Sequence, residues 1–286
     1  MSSSTQSDLD TEIQTERLHL TTSRAALRRM RERAEHLFAT GEHVSGDPFS
    51  AESLGRTLAR RVAELADNPD TPLFFGKLTF GATTGVSLGG GVGEAAVAHH
   101  IGRRHVTDDA GDPLVLDWRA PISRAFYRAS ARDPQGVEVR RRFGFQGGQL
   151  TSFEDEHLDR GEELGTASRI LTDEIERPRV GPMRDIVATI QPEQDELVRA
   201  ELDESICVQG APGTGKTAVG LHRAAYLLYL HRDRLRRSKV LILGPNTAFL
   251  HYISAVLPAL GEVEVEQMVV DDLFTRVAIR GHDAVE

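Results

Sequence analysis

Eight consecutive residues carry the clearest chemistry in the chain. Gly210, Ala211, Pro212, Gly213, Thr214, Gly215, Lys216 and Thr217 fit the spacing G-x-x-x-x-G-K-T, between an apolar stretch and a helix-like one. This is a pattern for holding phosphate. Glycines let the backbone turn tightly enough to aim successive N–H groups at phosphate oxygens, and a helix N-terminus adds partial positive charge. Lys216 is placed to bridge the β- and γ-phosphates and Thr217 to put its hydroxyl on Mg²⁺, so these two are the candidate catalytic residues. The identity of Lys216 is informative, because Lys77, Lys216 and Lys239 are the only lysines among 34 basic residues. An ammonium point charge fits between phosphates where a planar guanidinium does not. Gln194 lies 22 residues before Lys216. Its carboxamide, one acceptor and two donors, suits the N6/N7 edge of adenine, so the expected cofactors are ATP and Mg²⁺.

Other clusters have plainer readings. Gly89-Gly90-Gly91-Val92-Gly93 precedes no helix and reads as a flexible loop rather than a second nucleotide site. His99, His100 and His105 sit on one predicted strand with no Cys partner, which makes them structural or surface residues. Met268-Val269-Val270-Asp271-Asp272 has the look of a Walker B strand, but residues 262–267 are polar for a central strand. Asp271 or Asp272 is therefore expected as a helix cap. Arg232, Arg234, Arg236 and Arg237 are expected to form a solvated last turn of the helix that follows the glycine loop, favourable to its dipole.

These residues need elements to position them. A chain of 286 residues, 40% hydrophobic and 27% charged, can form two modest globular domains. It has no apolar run near the roughly 20 residues that span a bilayer, no secretory signal, and a lone Cys207 on a predicted strand, all of which point to the cytoplasm. The net charge of −9 argues against coating nucleic acid through bulk electrostatics, which leaves only a local groove for weak DNA or RNA contact. Over 9–37, Ile13, Leu20, Leu27 and Ala34 recur every seven residues, and Glu16 and Ser23 interrupt the seam. A break at 40–49 precedes a second helix with Leu54, Leu58, Val62 and Leu65. Two readings stay open: an antiparallel hairpin, or two helices packed on the next domain. Strands are expected at 73–80, 96–107, 114–118 and 137–145. Residues 155–189 read as an acidic, then helical connector. From 190 onward strands (205–209, 240–243, 263–265) alternate with helices (215–230, 246–260), which implies a parallel sheet and an α/β class. The predicted units are thus 1–70, 71–154, 155–189 and 190–286.

The combination of Asp117-Trp118-Arg119-Ala120-Pro121, the tract Met183-Arg184-Asp185-Ile186-Val187-Ala188-Thr189-Ile190-Gln191, and the glycine loop resembles the HelD/HelR family. These are UvrD-like superfamily 1 ATPases that bind bacterial RNA polymerase and release it from nucleic acid or from rifampicin. The resemblance runs from about residue 70 to Glu286. It implies that 190–286 opens a first RecA-like domain, that Gln194 is an adenine-reading Q motif, and that 1–70 probes the polymerase secondary channel. Residues 240–246 hold the place of motif Ia, but Gly244-Pro245-Asn246 replaces its usual Thr-rich sequence. No Walker B Asp-Glu, glutamine sensor or arginine finger is identifiable. The chain is therefore expected to be an N-terminal part that binds nucleotide without turning it over. The competing expectations are a repair helicase of the UvrD/Rep type and a non-catalytic adaptor on polymerase.

Overall fold

A computed structural model describes residues 2–41, 48–81, 96–177, 181–262 and 265–275. The turn of the predicted hairpin and the Gly89–Gly93 tract lie outside the described residues. Two helices open the chain, α1 (Ser2–Gly41) and α2 (Pro48–Glu64). The interrupted heptad explains how α1 packs. Leu20, Leu27 and Ala34 are buried, and so are the two interruptions, Glu16 and Ser23. A pure coiled-coil seam would exclude Glu16; a helix lying on a sheet can give it partners. Both open readings hold in part, since α1 packs on α2 and also on the sheet. His19 Nε2 meets Leu114 O at 2.9 Å, and Arg17 Nε donates to Leu150 O at 2.9 Å.

The sheet has six strands: β1 (Phe74–Phe80), β2 (Val97–Gly102), β3 (Val106–Thr107), β4 (Pro113–Asp117), β5 (Val137–Gln146) and β6 (Gln149–His157), in the order β3-β4-β2-β1-β5-β6. β2 and β4 pair parallel and the other neighbours antiparallel. The expected strand at 96–107 is thus two strands, broken where the Arg103 side chain reaches Pro72 O at 2.7 Å and Asp185 at 3.0 Å. His105 falls in that break, off the strand. β6 was hidden from sequence reading by its acidity. Its Glu154, Asp155 and Glu156 stand in register with Arg142, Arg141 and Arg140 of β5, an opposite-charge ladder that makes a charged strand favourable. One face of the sheet packs on α1 through Phe74, Val106, Val115, Phe143 and Leu150.

The other face continues into the second half of the chain. α3 (Arg124–Arg128), α4 (Arg169–Glu176), α5 (Pro192–Val198) and α6 (Lys216–Leu230) follow, then α7 (Arg232–Ser238), β7 (Leu241–Gly244), α8 (Thr247–Ile253), α9 (Val256–Ala259), β8 (Glu266–Val269) and α10 (Val270–Thr275). Leu78, Ile101, Trp118 and Phe126 share one core with Val198, Ala218, Val219, Leu221, Ile253 and Leu257. The molecule is mixed α/β. No described helix is long and apolar enough to cross a membrane.

Several expectations in this half need correction. Residues 205–209 form no strand, because nothing described pairs with them, and Cys207 is exposed. β7 and β8 pair parallel as a two-stranded sheet, so Leu241 and Leu243 are exposed rather than buried. Residues 263–264 of the strand expected at 263–265 lie outside the described residues; β8 spans Glu266–Val269, and such a thin ladder tolerates the polar Glu266 and Gln267. Asp271 and Asp272 stand inside the first turn of α10, where carboxylates suit the helix dipole, and not ahead of it as caps. The expected helix over 246–260 is split. Pro258 has no N–H for Ser254 O and its ring would crowd that carbonyl, so α8 ends and α9 restarts. The four arginines belong to a separate α7 after His231, not to the last turn of α6.

Candidate functional site

The glycine loop runs directly into α6, a helix of 15 residues. Gly213 and Gly215 have φ of 84° and 82°, left-handed values that a side chain resists, so the turn needs glycine at both places. Gly215 caps α6, and Lys216 is its first residue. The Lys216 ammonium donates to Gly210 O and Ala211 O, both at 2.8 Å, and Thr214 Oγ1 donates to Ala211 O at 2.9 Å. The loop therefore folds around its own lysine. Residues 210–214 and Thr217 are exposed, which leaves the helix N-terminus open to a ligand.

Gln194 lies against this loop. A Cβ built on Gly215 would stand 3.3 Å from Gln194 Nε2. Gln194 Oε1 accepts from Gln191 N–H at 3.1 Å, which caps α5 and turns the amide nitrogen toward the loop. Thus Lys216, Gly215 and Gln194 are brought together, with Thr217 one residue along α6. The donor set suits a nucleoside triphosphate: loop N–H groups and an ammonium for phosphate, a hydroxyl for Mg²⁺, a carboxamide for a base. Among the described residues no group of three or more His, Cys, Asp or Glu side chains could hold a metal by itself.

What fixes α5 and α6 was not legible in the sequence. Asp195, next to Gln194 and fully buried, accepts from Arg128 Nε and Arg199 Nε, each at 2.6 Å. Arg199 also donates to Trp118 O at 2.7 Å and Arg119 O at 3.2 Å. The turn that follows β4 therefore holds the helix that carries Gln194. His222, one and a half turns into α6, is fully buried. Its Nε2 accepts from Ile186 N–H at 3.1 Å, so the ring proton must be on Nδ1, which donates to Ala218 O at 2.8 Å. Burial pushes its pKa down, consistent with this neutral tautomer.

Two further arginines finish the clamp. Arg119 is paired with Asp117 at 2.8 Å and Glu262 at 2.6 Å, and its guanidinium lies 4.8 Å over the Tyr229 ring of α6. Burial would raise the Asp185 carboxyl, but the Arg103 guanidinium at 3.0 Å outweighs it and holds the carboxyl below its usual range. Tyr127 donates to Val187 O at 2.9 Å. The 117–121 and 183–191 tracts thus meet around α5 and α6. A buried Asp beside a Gln, or a His within a helix, gives no periodic signal that would mark either in advance.

A family model described as DNA helicase IV HelD, N-terminal domain, matches residues 13–169. No curated protein matches the chain.

Proposed function

The chain belongs to the HelD family, whose N-terminal-domain model covers more than half of it, and from that premise we propose that residues 210–217 bind ATP for a helicase-like motor ATPase. One observation carries the reading: Lys216 leads α6 out of a two-glycine left-handed turn while Gln194 stands against Gly215. Lys216 would hold the β- and γ-phosphates, Thr217 the Mg²⁺, and Gln194 the adenine edge. The motor supplies phosphoanhydride hydrolysis, and the residues here bind and orient.

The object of that work, by the family resemblance, is bacterial RNA polymerase in the cytoplasm, with α1 and α2 directed to the secondary channel. The sheet that precedes the nucleotide loop supports this over a repair helicase, which has no such module at this place. A pull-down against core RNA polymerase should enrich its subunits, and a failure to enrich would count heavily against the partner.

The nucleotide test is separate. Lys216→Ala should weaken Mg·ATP binding about tenfold or more. Gln194→Ala should lose preference for ATP over GTP while phosphate affinity persists. Both are read by displacement of a fluorescent ATP analogue. Equal ATP affinity in wild type and Lys216→Ala would refute the reading. The 286 residues alone should turn ATP over far below the order of 1 s⁻¹ typical of motors.

A further inference from the structure

Three consecutive arginines of β5 meet unlike surroundings. Arg140 donates to Glu156 at 2.6 Å and to Ala129 O at 2.7 Å. Arg141 donates to both carboxylate oxygens of Asp155, to Glu16 and to Glu12. Arg142 has one long ion pair, Nε to Glu156 Oε2 at 3.5 Å, on a carboxylate that Arg140 already holds at 2.6 Å. At that length the buried Nε makes no normal hydrogen bond, and the guanidinium lies 5.0 Å over the Phe126 ring. The side chain is only 14% exposed. A guanidinium has five N–H donors, and leaving donors unmet away from water is costly for a charged group. Arg140 and Arg141 make four hydrogen bonds each, so this strand can satisfy an arginine, whereas Arg142 keeps donors beyond its long pair to Glu156.

Arg142 lines a cavity of about 130 Å³ between β5, α4 and the segment before α5. Phe75, Ile170, Leu171 and Ala188 give it apolar walls. The other two arginines there are engaged, Arg103 with Asp185 and Arg177 with Glu174. Asp173 and Glu174 also face the cavity. Their charge disfavours a dianion, whereas a single carboxylate matches the planar fork of one guanidinium.

We propose that this cavity binds a small monoanionic carboxylate with an apolar, ring-sized body, and that Arg142 receives its carboxylate. The site shares no residue with the 210–217 loop and is independent of the nucleotide reading.

The test uses the 286-residue chain carrying Lys216→Ala, so that the glycine loop contributes no anion binding. Sodium benzoate and inorganic phosphate are titrated as probes and read by calorimetry and by the methyl NMR signals of Ile170 and Ala188. Benzoate should bind saturably and shift both methyls, and phosphate should bind more weakly. Arg142→Gln and, separately, Ala188→Leu, which fills the cavity but keeps the cation, should each weaken benzoate roughly tenfold or more. Circular dichroism establishes that each variant is folded. If Arg142→Gln does not fold, Ala188→Leu decides. No saturable benzoate binding, binding unchanged in the folded variants, or phosphate binding as tight as benzoate would each overturn the proposal.

Discussion

Two glycines, one capping α6 and one within it, should respond in opposite directions to the same substitution. Gly215 has φ of 82°, and a Cβ there would press to 3.3 Å from Gln194 Nε2. Gly215→Ala should cost about 1–2 kcal/mol in left-handed strain and move the carboxamide off the loop. Gly220 lies within α6, exposed, and a Cβ there would meet nothing within 4 Å. Gly220→Ala should stabilise by about 0.5–1 kcal/mol, because glycine loses more backbone freedom in a helix than alanine. Urea denaturation of the two variants reads the signs directly, and equal shifts would mean that the turn at Gly215 is not left-handed. At this scale the site was partly legible. Lys216 and Gln194 stand out by type and spacing, because under the proposed reading phosphate and adenine would call for those groups. His222 does not, because a buried imidazole that accepts from Ile186 N–H is chosen by tertiary packing alone.

At the scale of elements, α1 is held to the sheet by a titratable cluster. Glu16 meets His100 at 2.7 Å, Lys77 at 2.8 Å and Arg141 at 3.1 Å, and His19 stacks on His100 with ring centroids 3.7 Å apart. Burial lowers the His100 pKa to about 4, against an ordinary value of 6.5. The unfolded chain therefore takes up the proton first. Stability is full above pH 6.5, falls as pH drops from 6.5 to about 4, and levels off below. The swing is up to ~3 kcal/mol, shared with His19, whose pKa burial also lowers. Glu16 acts in a lower window. Burial opposes its ionisation, but His100 and Lys77 outweigh that and hold it at about 2, so its contribution is lost between pH 4.5 and 2. His100→Gln should flatten the stability profile between pH 6.5 and 4 and also narrow the lower window, because Glu16 loses its largest pKa-lowering partner and keeps Lys77. Amide exchange along α1, measured across that range in both proteins, checks it; an unchanged slope would place the titration elsewhere. The sequence shows Glu16 only as a flaw in a heptad. Its meaning depends on three partners 61, 84 and 125 residues away, which no local pattern contains. β6 was obscured for the same reason, its carboxylates being strand-compatible only opposite the arginines of β5.

The whole molecule is tied across its two halves by one buried core and by Arg119. The core runs from Leu78, Ile101 and Trp118 on the sheet side to Ala218 and Val219 of α6 and Ile253 of α8. Sequence composition separates these halves, because strand-like and helix-strand patterns change near residue 190, and nothing local says that they share an interior. Arg119 spans the seam: it binds Asp117 beside it, Glu262 before β8 and, more distantly at 3.4 Å, Ala225 O in α6. Replacing it with methionine keeps its bulk but leaves Asp117 buried without its bidentate partner, a loss of about 3–5 kcal/mol. A shared core should also make unfolding one event. Trp118 is the only tryptophan, is fully buried, and lies 5.7 Å from the His222 ring of α6, so its fluorescence reports the seam itself. Thermal unfolding followed by Trp118 emission and by far-ultraviolet circular dichroism should coincide in wild type, and both should move down together in Arg119→Met. If Trp118 were released before the helical signal, the sheet and α6 would be separate cooperative units.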